Sequence, residues 1–277
     1  KTVAQAMLAK VYAEKEVQDY DKVIAYADKV MNTTGVELED SYETLWGYDE
    51  TAKDCMKRNT KEGILEVHWT TGSGNWETWM YGRQLDNWDY YFTWAKWITP
   101  SRDIINDFDK EGDEVRKNQA IVYYACTWSN YYPASNYPFM YKLRSSYNNI
   151  YWVRLADIIL MKAEAEAYKG NLAESAKLVN QIRKRAKLKE LTSDKTGSKE
   201  SMIEAVLHER RLELAFEGER WFDLCRNNKV EQYLNGIDNR DSGRIRQVRQ
   251  FDSNSYLLPI PQTALDQNTN LEQNPGY

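Results

Sequence analysis

Glu209-Arg210-Arg211-Leu212-Glu213-Leu214-Ala215-Phe216-Glu217-Gly218-Glu219-Arg220-Trp221-Phe222-Asp223-Leu224 carries two periodicities at once. Leu207, Leu212 and Phe216 recur at helical spacing, while Glu209, Glu213 and Glu217 stack four apart on another face, interleaved with Arg210, Arg211 and Arg220. The pattern predicts one amphipathic helix with paired charges. Gly218 is placed to end it, because a glycine takes the left-handed conformation of a C-cap without a Cβ clash. Trp221-Phe222-Asp223-Leu224 then reads as a short second helix that turns its aromatics inward. A carboxylate ladder of this kind is far more often a solvated or ion-paired face than an acid/base site, so it is read as structural and no catalytic residue is assigned.

Working outward, residues 153 to 169 and 171 to 187 form a helix pair across Lys169-Gly170-Asn171, with Leu172, Ala176, Val179 and Ile182 on one face. Residues 3 to 16 and 20 to 31 form another, carried by Ala4, Met7, Leu8, Val11 and Tyr12 and then by Tyr20, Val23, Ile24, Ala27 and Val30. Ala9 and Tyr12 align with Ala165 and Tyr168, so the pairs spanning 1–34 and 153–187 are loosely alike and resemble tetratricopeptide repeats, though two separated copies are no continuous solenoid.

Between the pairs, 64–144 reads as a loop-rich aromatic region. Ile64-Leu65-Glu66-Val67-His68-Trp69 is a predicted strand. Thr99 is placed to cap a helix with Pro100 in its first turn, followed by Ile104, Ile105 and Phe108 and ending near Asp113. Gln119 to Thr127 and Phe139 to Arg144 are predicted strands of a hairpin joined through Trp128 to Pro138. Residues 189 to 199 read as loop before a helix from Lys199. Residues 235 to 255 read as irregular, and Asp266 to Tyr277 as an extended surface tail.

Composition narrows the function classes. A chain of 277 residues buries a sizeable core, and one domain over 1–277 is the expectation. The formal net charge of -5 supplies no basic field for nucleic acid or an anionic membrane surface. No apolar run approaches membrane-spanning length, so the chain as it stands reads as soluble. It opens Lys1-Thr2-Val3 without a methionine, and the expectation is that something precedes it. Cys55, Cys126 and Cys225 have no metal-ligand spacing, and His68 and His208 are the only histidines, so neither a metal site, a cofactor nor a serine-histidine triad is assigned.

The richest chemistry lies at 69 to 97. Six of the 10 tryptophans are here, Trp69, Trp76, Trp79, Trp88, Trp94 and Trp97, joined by Tyr81, Tyr90, Tyr91 and Phe92 and set among Gly72, Ser73, Gly74, Asn75, Gly82 and Asn87. Turn-forming residues place much of this cluster on loops, where a contiguous set of rings marks an interaction surface. Pyranose rings suit such a surface, since their axial C–H groups lie flat on an indole or phenol through dispersion and C–H contacts. Trp76, Trp79, Trp88, Tyr90, Tyr91 and Trp94 are the candidate ligand-binding rings, with Asn75, Arg83 and Asn87 as polar partners for hydroxyls, and Asp86 and Asp89 nearby. Trp69 and Trp97, flanking strand and helix, read as core members. The loop Trp128-Ser129-Asn130-Tyr131-Tyr132-Pro133 is a weaker candidate for contact with ligand or partner.

The opening stretch, together with Arg154-Leu155-Ala156-Asp157 and Leu257-Leu258-Pro259-Ile260-Pro261, resembles the C-terminal part of SusD/RagB proteins. The resemblance covers nearly the whole chain and begins partway into the family's usual length. It implies a mainly α fold of tetratricopeptide-like helix pairs with a loop-rich region containing a few short strands. It also implies a surface lipoprotein of Bacteroidetes, on the extracellular face of the outer membrane, that captures an oligosaccharide or polysaccharide for a SusC-like TonB-dependent transporter without catalysis. Its membrane contact would be an N-terminal lipid anchor absent from this chain. RagB-like members are associated with peptide uptake, so peptide remains an alternative ligand. Two other classes stay open: a helical-repeat scaffold for peptides or proteins, and a glycoside hydrolase using Asp86 and Asp89.

Overall fold

The structure, a computed structural model, describes residues 1–49, 51–52, 54–69, 98–126, 129–145, 148–243 and 249–277. These fall into two compact units, Lys1–Arg220 and Trp221–Tyr277.

The first unit is built on helix pairs. Helices α1 (Thr2–Ala13) and α2 (Tyr20–Met31) form the first pair, with Asp19 capping α2 by accepting from the Lys22 amide. After them come α3 (Glu43–Trp46), the two-residue strands β1 (Tyr48–Asp49) and β2 (Asp54–Cys55), and strand β3 (Gly63–Val67). Next are α4 (Arg102–Glu111), α5 (Glu114–Ala120), β4 (Ile121–Tyr124), β5 (Tyr137–Met140) and β6 (Ile150–Arg154). The second pair, α6 (Leu155–Tyr168) and α7 (Leu172–Arg185), is followed by one turn of helix α8 (Ser193–Thr196) and by α9 (Lys199–Glu213). Gly170, at φ 84°, makes the turn between α6 and α7. Ala6, Ala27, Ala156, Ala163 and Ala167 line the contacts among α1, α2 and α6, and such small side chains let the helices approach closely. Ile158, Ile159, Leu160, Val179, Ile182, Met202, Val206 and Leu207 fill the core they enclose. Tyr20 stacks on Tyr168 at 4.8 Å between ring centres, tying the two pairs together.

Three short antiparallel sheets pair β1 with β2, β3 with β6 and β4 with β5. The β4–β5 hairpin is the one expected, but it is shorter and shifted. Residues 119 and 120 finish α5, and the second strand starts at Tyr137 rather than Phe139. Strand β6 takes residues 153 and 154 from the expected helix, because they extend the ladder with β3. The strand expected over 64 to 69 ends at Val67. Helix α4 is capped not by Thr99 but by Ser101, whose side chain accepts from the Ile104 amide, so Pro100 lies outside the helix. The Thr99 hydroxyl instead donates to the Pro138 carbonyl at 2.8 Å.

Helix α9 ends at Glu213, one turn before Gly218. The chain leaves it through Phe216 at φ 66° and Gly218 at φ 87°. The carboxylate ladder is ion-paired, as its spacing allows, but it is not a solvated face. Glu209 and Glu213 are fully buried, and the Glu217 side chain is 7% exposed. Its partners are not the interleaved arginines. They come from α5, β6, α7 and the segment after β5, while Arg210 reaches Asp157 and Arg211 reaches Asp103 and Asp107.

In the second unit, the expected short helix is α10 (Arg220–Arg226). Asp223 and Leu224 are its buried residues, whereas Phe222 is 55% exposed, so that ring is not driven inward. The stretch expected to be irregular carries α12 (Ile237–Arg240), after α11 (Val230–Leu234), and a 3-10 turn at Ser253–Tyr256. Helix α13 (Gln262–Gln267) takes the first residues of the expected tail. The remainder is pinned by Asn274 donating to the Leu258 carbonyl and Tyr277 to that of Leu257.

Candidate functional site

A block of buried charge fixes one wall of the first unit. Arg154, the last residue of β6, donates to Glu62 at 2.8 Å, to Glu213 at 2.6 Å and to both carboxylate oxygens of Glu217 at 2.7 and 2.8 Å. Arg116 donates to Glu209 at 2.7 Å and to Glu213 at 3.2 Å, and Arg185 bonds both Glu62 and Glu213. Tyr42 donates to the Glu213 carbonyl at 2.8 Å. Burial of unpaired charge is prohibitive, so each ion here is held by several partners. Burial pushes the Glu213 carboxyl up, but Arg185, Arg154 and Arg116 outweigh it and hold that carboxyl well below its ordinary range. This is the chemistry of a rigid frame, not of a proton-transfer site.

Against the frame lies a hollow of about 460 Å³. Its walls come from the end of β3 (Val67) and Trp69 beyond it, the end of β5 with the residues after it (Met140, Lys142, Leu143), β6 (Tyr151, Trp152), α3 (Trp46), Ile98, and the turn after α9 (Phe216 to Gly218). Trp46 and Tyr151 meet edge to face at 5.1 Å, both buried. Strand alternation then turns the next residue outward, and Trp152 is 63% exposed. The left-handed backbone of Phe216, costing on the order of 1 kcal/mol in a non-glycine residue, directs the turn so that it reaches this wall.

Lys142 supplies the one lysine of the lining among the described residues. Its ammonium donates to Glu217 at 2.6 Å and to the Glu213 carbonyl at 3.1 Å, and lies 4.7 Å from the centre of the Trp46 ring. Burial, opposed mainly by Glu217, pushes its pKa down to about 8, so it is still charged and paired at neutral pH. The hollow is therefore an aromatic enclosure with a neutralised ion pair at its edge. That arrangement suits a ligand with apolar faces and no net charge. The indole N–H groups of Trp46 and Trp69 have no acceptor among the described residues.

A second, more open hollow of about 910 Å³ lies at the tip of the β4–β5 hairpin, lined by Arg102 and residues 129 to 134. It contains most of the loop expected to make a weaker contact. Trp128, from the same loop, lies outside the described residues.

The principal candidates from the sequence, Asn75, Trp76, Trp79, Arg83, Asn87, Trp88, Tyr90, Tyr91 and Trp94, lie outside the described residues, as do Asp86, Asp89 and Trp97. The residues on either side of that segment are informative: Trp69 and Ile98 both line the aromatic hollow. Trp69 contributes to the hollow's wall rather than to any of the core clusters. Sequence reasoning missed Trp46, Tyr151 and Trp152. The short run of β-branched and aromatic residues Ile150-Tyr151-Trp152-Val153 was the available strand signal, and the helix after it masked it. Among the described residues there is no cluster of His, Cys, Asp or Glu arranged to hold a metal ion, and His68 bonds Glu66 at 3.0 Å. No helix there is long and apolar enough to cross a membrane.

Comparison with known proteins agrees with the fold. The family model described as "SusD family" matches residues 138–277. SusD-like protein P2 of Formosa agariphila is 27% identical over 320 aligned positions, covering 100% of this chain and 59% of that protein. A crystal structure of a SusD homolog from Bacteroides thetaiotaomicron superposes with a TM-score of 0.76 at 20% identity, covering 100% of this chain and 64% of the other. A laminarin-binding SusD-like protein superposes with a TM-score of 0.72 at 24% identity, covering 100% and 62%. The chain thus spans less than two thirds of the length of each of these relatives.

Proposed function

Because this chain belongs to the SusD family, we propose that it is a glycan-binding subunit that captures an oligosaccharide or polysaccharide at the outer face of the outer membrane for a SusC-like TonB-dependent transporter, without catalysing its cleavage. The observation that carries the reading is the aromatic hollow, with Trp152 standing 63% exposed on its wall and the aromatic segment 70–97 entering and leaving the described structure at Trp69 and Ile98. Trp152 offers a flat apolar face to a pyranose ring, and the neutralised Lys142–Glu217 pair leaves the hollow without excess charge. Trp76, Trp79, Trp88, Tyr90, Tyr91 and Trp94, with Asn75, Arg83 and Asn87, belong to the same reading as further stacking and hydroxyl-pairing groups. A SusD-like relative of the same fold binds laminarin, which makes that glucan the first probe.

The test is affinity electrophoresis against laminarin and a panel of other soluble polysaccharides, with Trp152→Ala, Trp79→Ala and Trp88→Ala beside the parent chain and released reducing ends assayed in parallel. Retardation that Trp152→Ala reduces about tenfold in affinity, without release of sugar, is the expected result. Release of reducing ends refutes the binding-only reading, and retardation untouched by Trp152→Ala removes the hollow from it.

A further inference from the structure

We propose that the tip of the β4–β5 hairpin is a second carbohydrate subsite, which acts with the aromatic hollow to hold one extended glycan; the inference rests on the glycan-binding reading above. The connection runs from Ala125 to Asn136, long for a hairpin, and long connections within compact domains are commonly functional. It is folded on itself, with the Cys126 amide donating to the Ala134 carbonyl at 2.7 Å and Asn136 to that of Pro133 at 3.0 Å. Tyr131 and Tyr132 meet edge to face at 5.0 Å, and Tyr132 meets Tyr137 likewise at 5.6 Å. The Arg102 guanidinium lies 4.6 Å from the Tyr131 ring centre and 4.1 Å from that of Tyr132, and it also donates to the Tyr131 carbonyl. Tyr132 donates to the Pro100 carbonyl at 2.7 Å.

The rings are thus fixed in place before any ligand arrives, which lowers the entropic cost of binding. They are only half-buried and border an open hollow edged by the exposed Asn130 amide and by Ser129. With Arg102 stacked on one side, what these half-buried tyrosines have left for a pyranose is their remaining face or edge, beside groups that pair with its hydroxyls.

The two hollows are also close along the chain. Ile98 lines the first and Arg102 the second, so three residues join them and their Cα atoms lie within about 14 Å. That connector is tied to the hairpin by the Thr99 and Tyr132 hydrogen bonds, so the spacing is built in rather than left to a free loop. A few linked sugar rings cover such a span. Two subsites joined by one ligand act at high effective concentration, so affinity should rise with chain length until both are filled.

Calorimetry with laminari-, cello- and malto-oligosaccharides from disaccharide to octasaccharide tests this on the parent chain, Tyr131→Ala, Tyr131→Phe, Asn130→Ala and Trp152→Ala. Thermal midpoints establish that each variant is folded, and the exposed Asn130 site provides a second probe should Tyr131→Ala disturb the loop. The expected result is an affinity that climbs with length, weakened about fivefold by Tyr131→Ala for the longest oligomers, unchanged for disaccharides and retained in Tyr131→Phe. A Trp152→Ala loss at every length beside unchanged long-oligomer binding in Tyr131→Ala and Asn130→Ala overturns the second subsite and leaves the glycan reading standing. Absence of binding by the parent chain at every length overturns both.

Discussion

Replacing Glu213 with Gln removes one charge from the buried frame while keeping the shape of the side chain. Glu213 is fully buried and pairs with Arg154 at 2.6 Å, with Arg116 at 3.2 Å and with Arg185. Removing one partner of a buried ion pair costs about 3–5 kcal/mol, because the other is left buried without its counter-charge. Each cation here keeps another carboxylate: Arg154 keeps Glu62 and Glu217, Arg185 keeps Glu62, and Arg116 keeps Asp113 and Glu209. The lower end, about 3 kcal/mol, is therefore expected for Glu213→Gln. In a chain of this size that corresponds to a thermal midpoint lowered by about 6–12 °C. Urea unfolding followed by tryptophan fluorescence, with a thermal scan by circular dichroism, measures both. Glu174→Gln is the comparison, since Glu174 is 36% exposed and meets Lys177 at the surface, and its change should stay within about 0.5 kcal/mol. A Glu213→Gln cost as small as that of Glu174→Gln refutes the buried frame and returns the ladder to a solvated face.

Other outcomes come from the same geometry. Gly218→Ala should destabilise by about 1–2 kcal/mol in the same urea series, because φ is 87° while no atom lies within 4 Å of the added methyl, leaving backbone strain as its effect. Glu213 and Glu217 are both held below the ordinary carboxyl value of 4.5: burial pushes each up, and the guanidiniums, with Lys142 at Glu217, more than reverse it. Their contribution to stability is therefore fully present above pH 4.5, begins to decline as pH falls below that value and is gone once pH has fallen through their lowered folded-state pKa values, and a thermal-midpoint series should show an acid limb that Glu213→Gln makes shallower.

Both helix pairs were legible in the sequence because an apolar stripe every three to four residues has few other solutions. The hairpin was legible too, though its boundaries were not. Tertiary pairing overrode local pattern at residues 153 and 154, where the ladder with Gly63 to Val67 claims the start of an otherwise helical run. Ser101 took the capping role from Thr99 for a similar reason, since the Thr99 hydroxyl is engaged by the distant Pro138 carbonyl.

The site divides the same way. That ten aromatic residues fall between 69 and 97 is a property of composition and spacing, and the sequence alone contains it. That Trp46, Tyr151 and Trp152 meet Trp69 and Ile98 around one hollow is a property of three-dimensional contact. The spacing of Glu209, Glu213 and Glu217 determined that three carboxylates share a helix face. Whether that face met water or arginines depended on Arg116, Arg154 and Arg185, 93, 59 and 28 residues away from their partners on the ladder. Helical periodicity is a local property and can be read locally; burial of a charge is decided by what the rest of the chain brings against it, and only the tertiary structure holds that information.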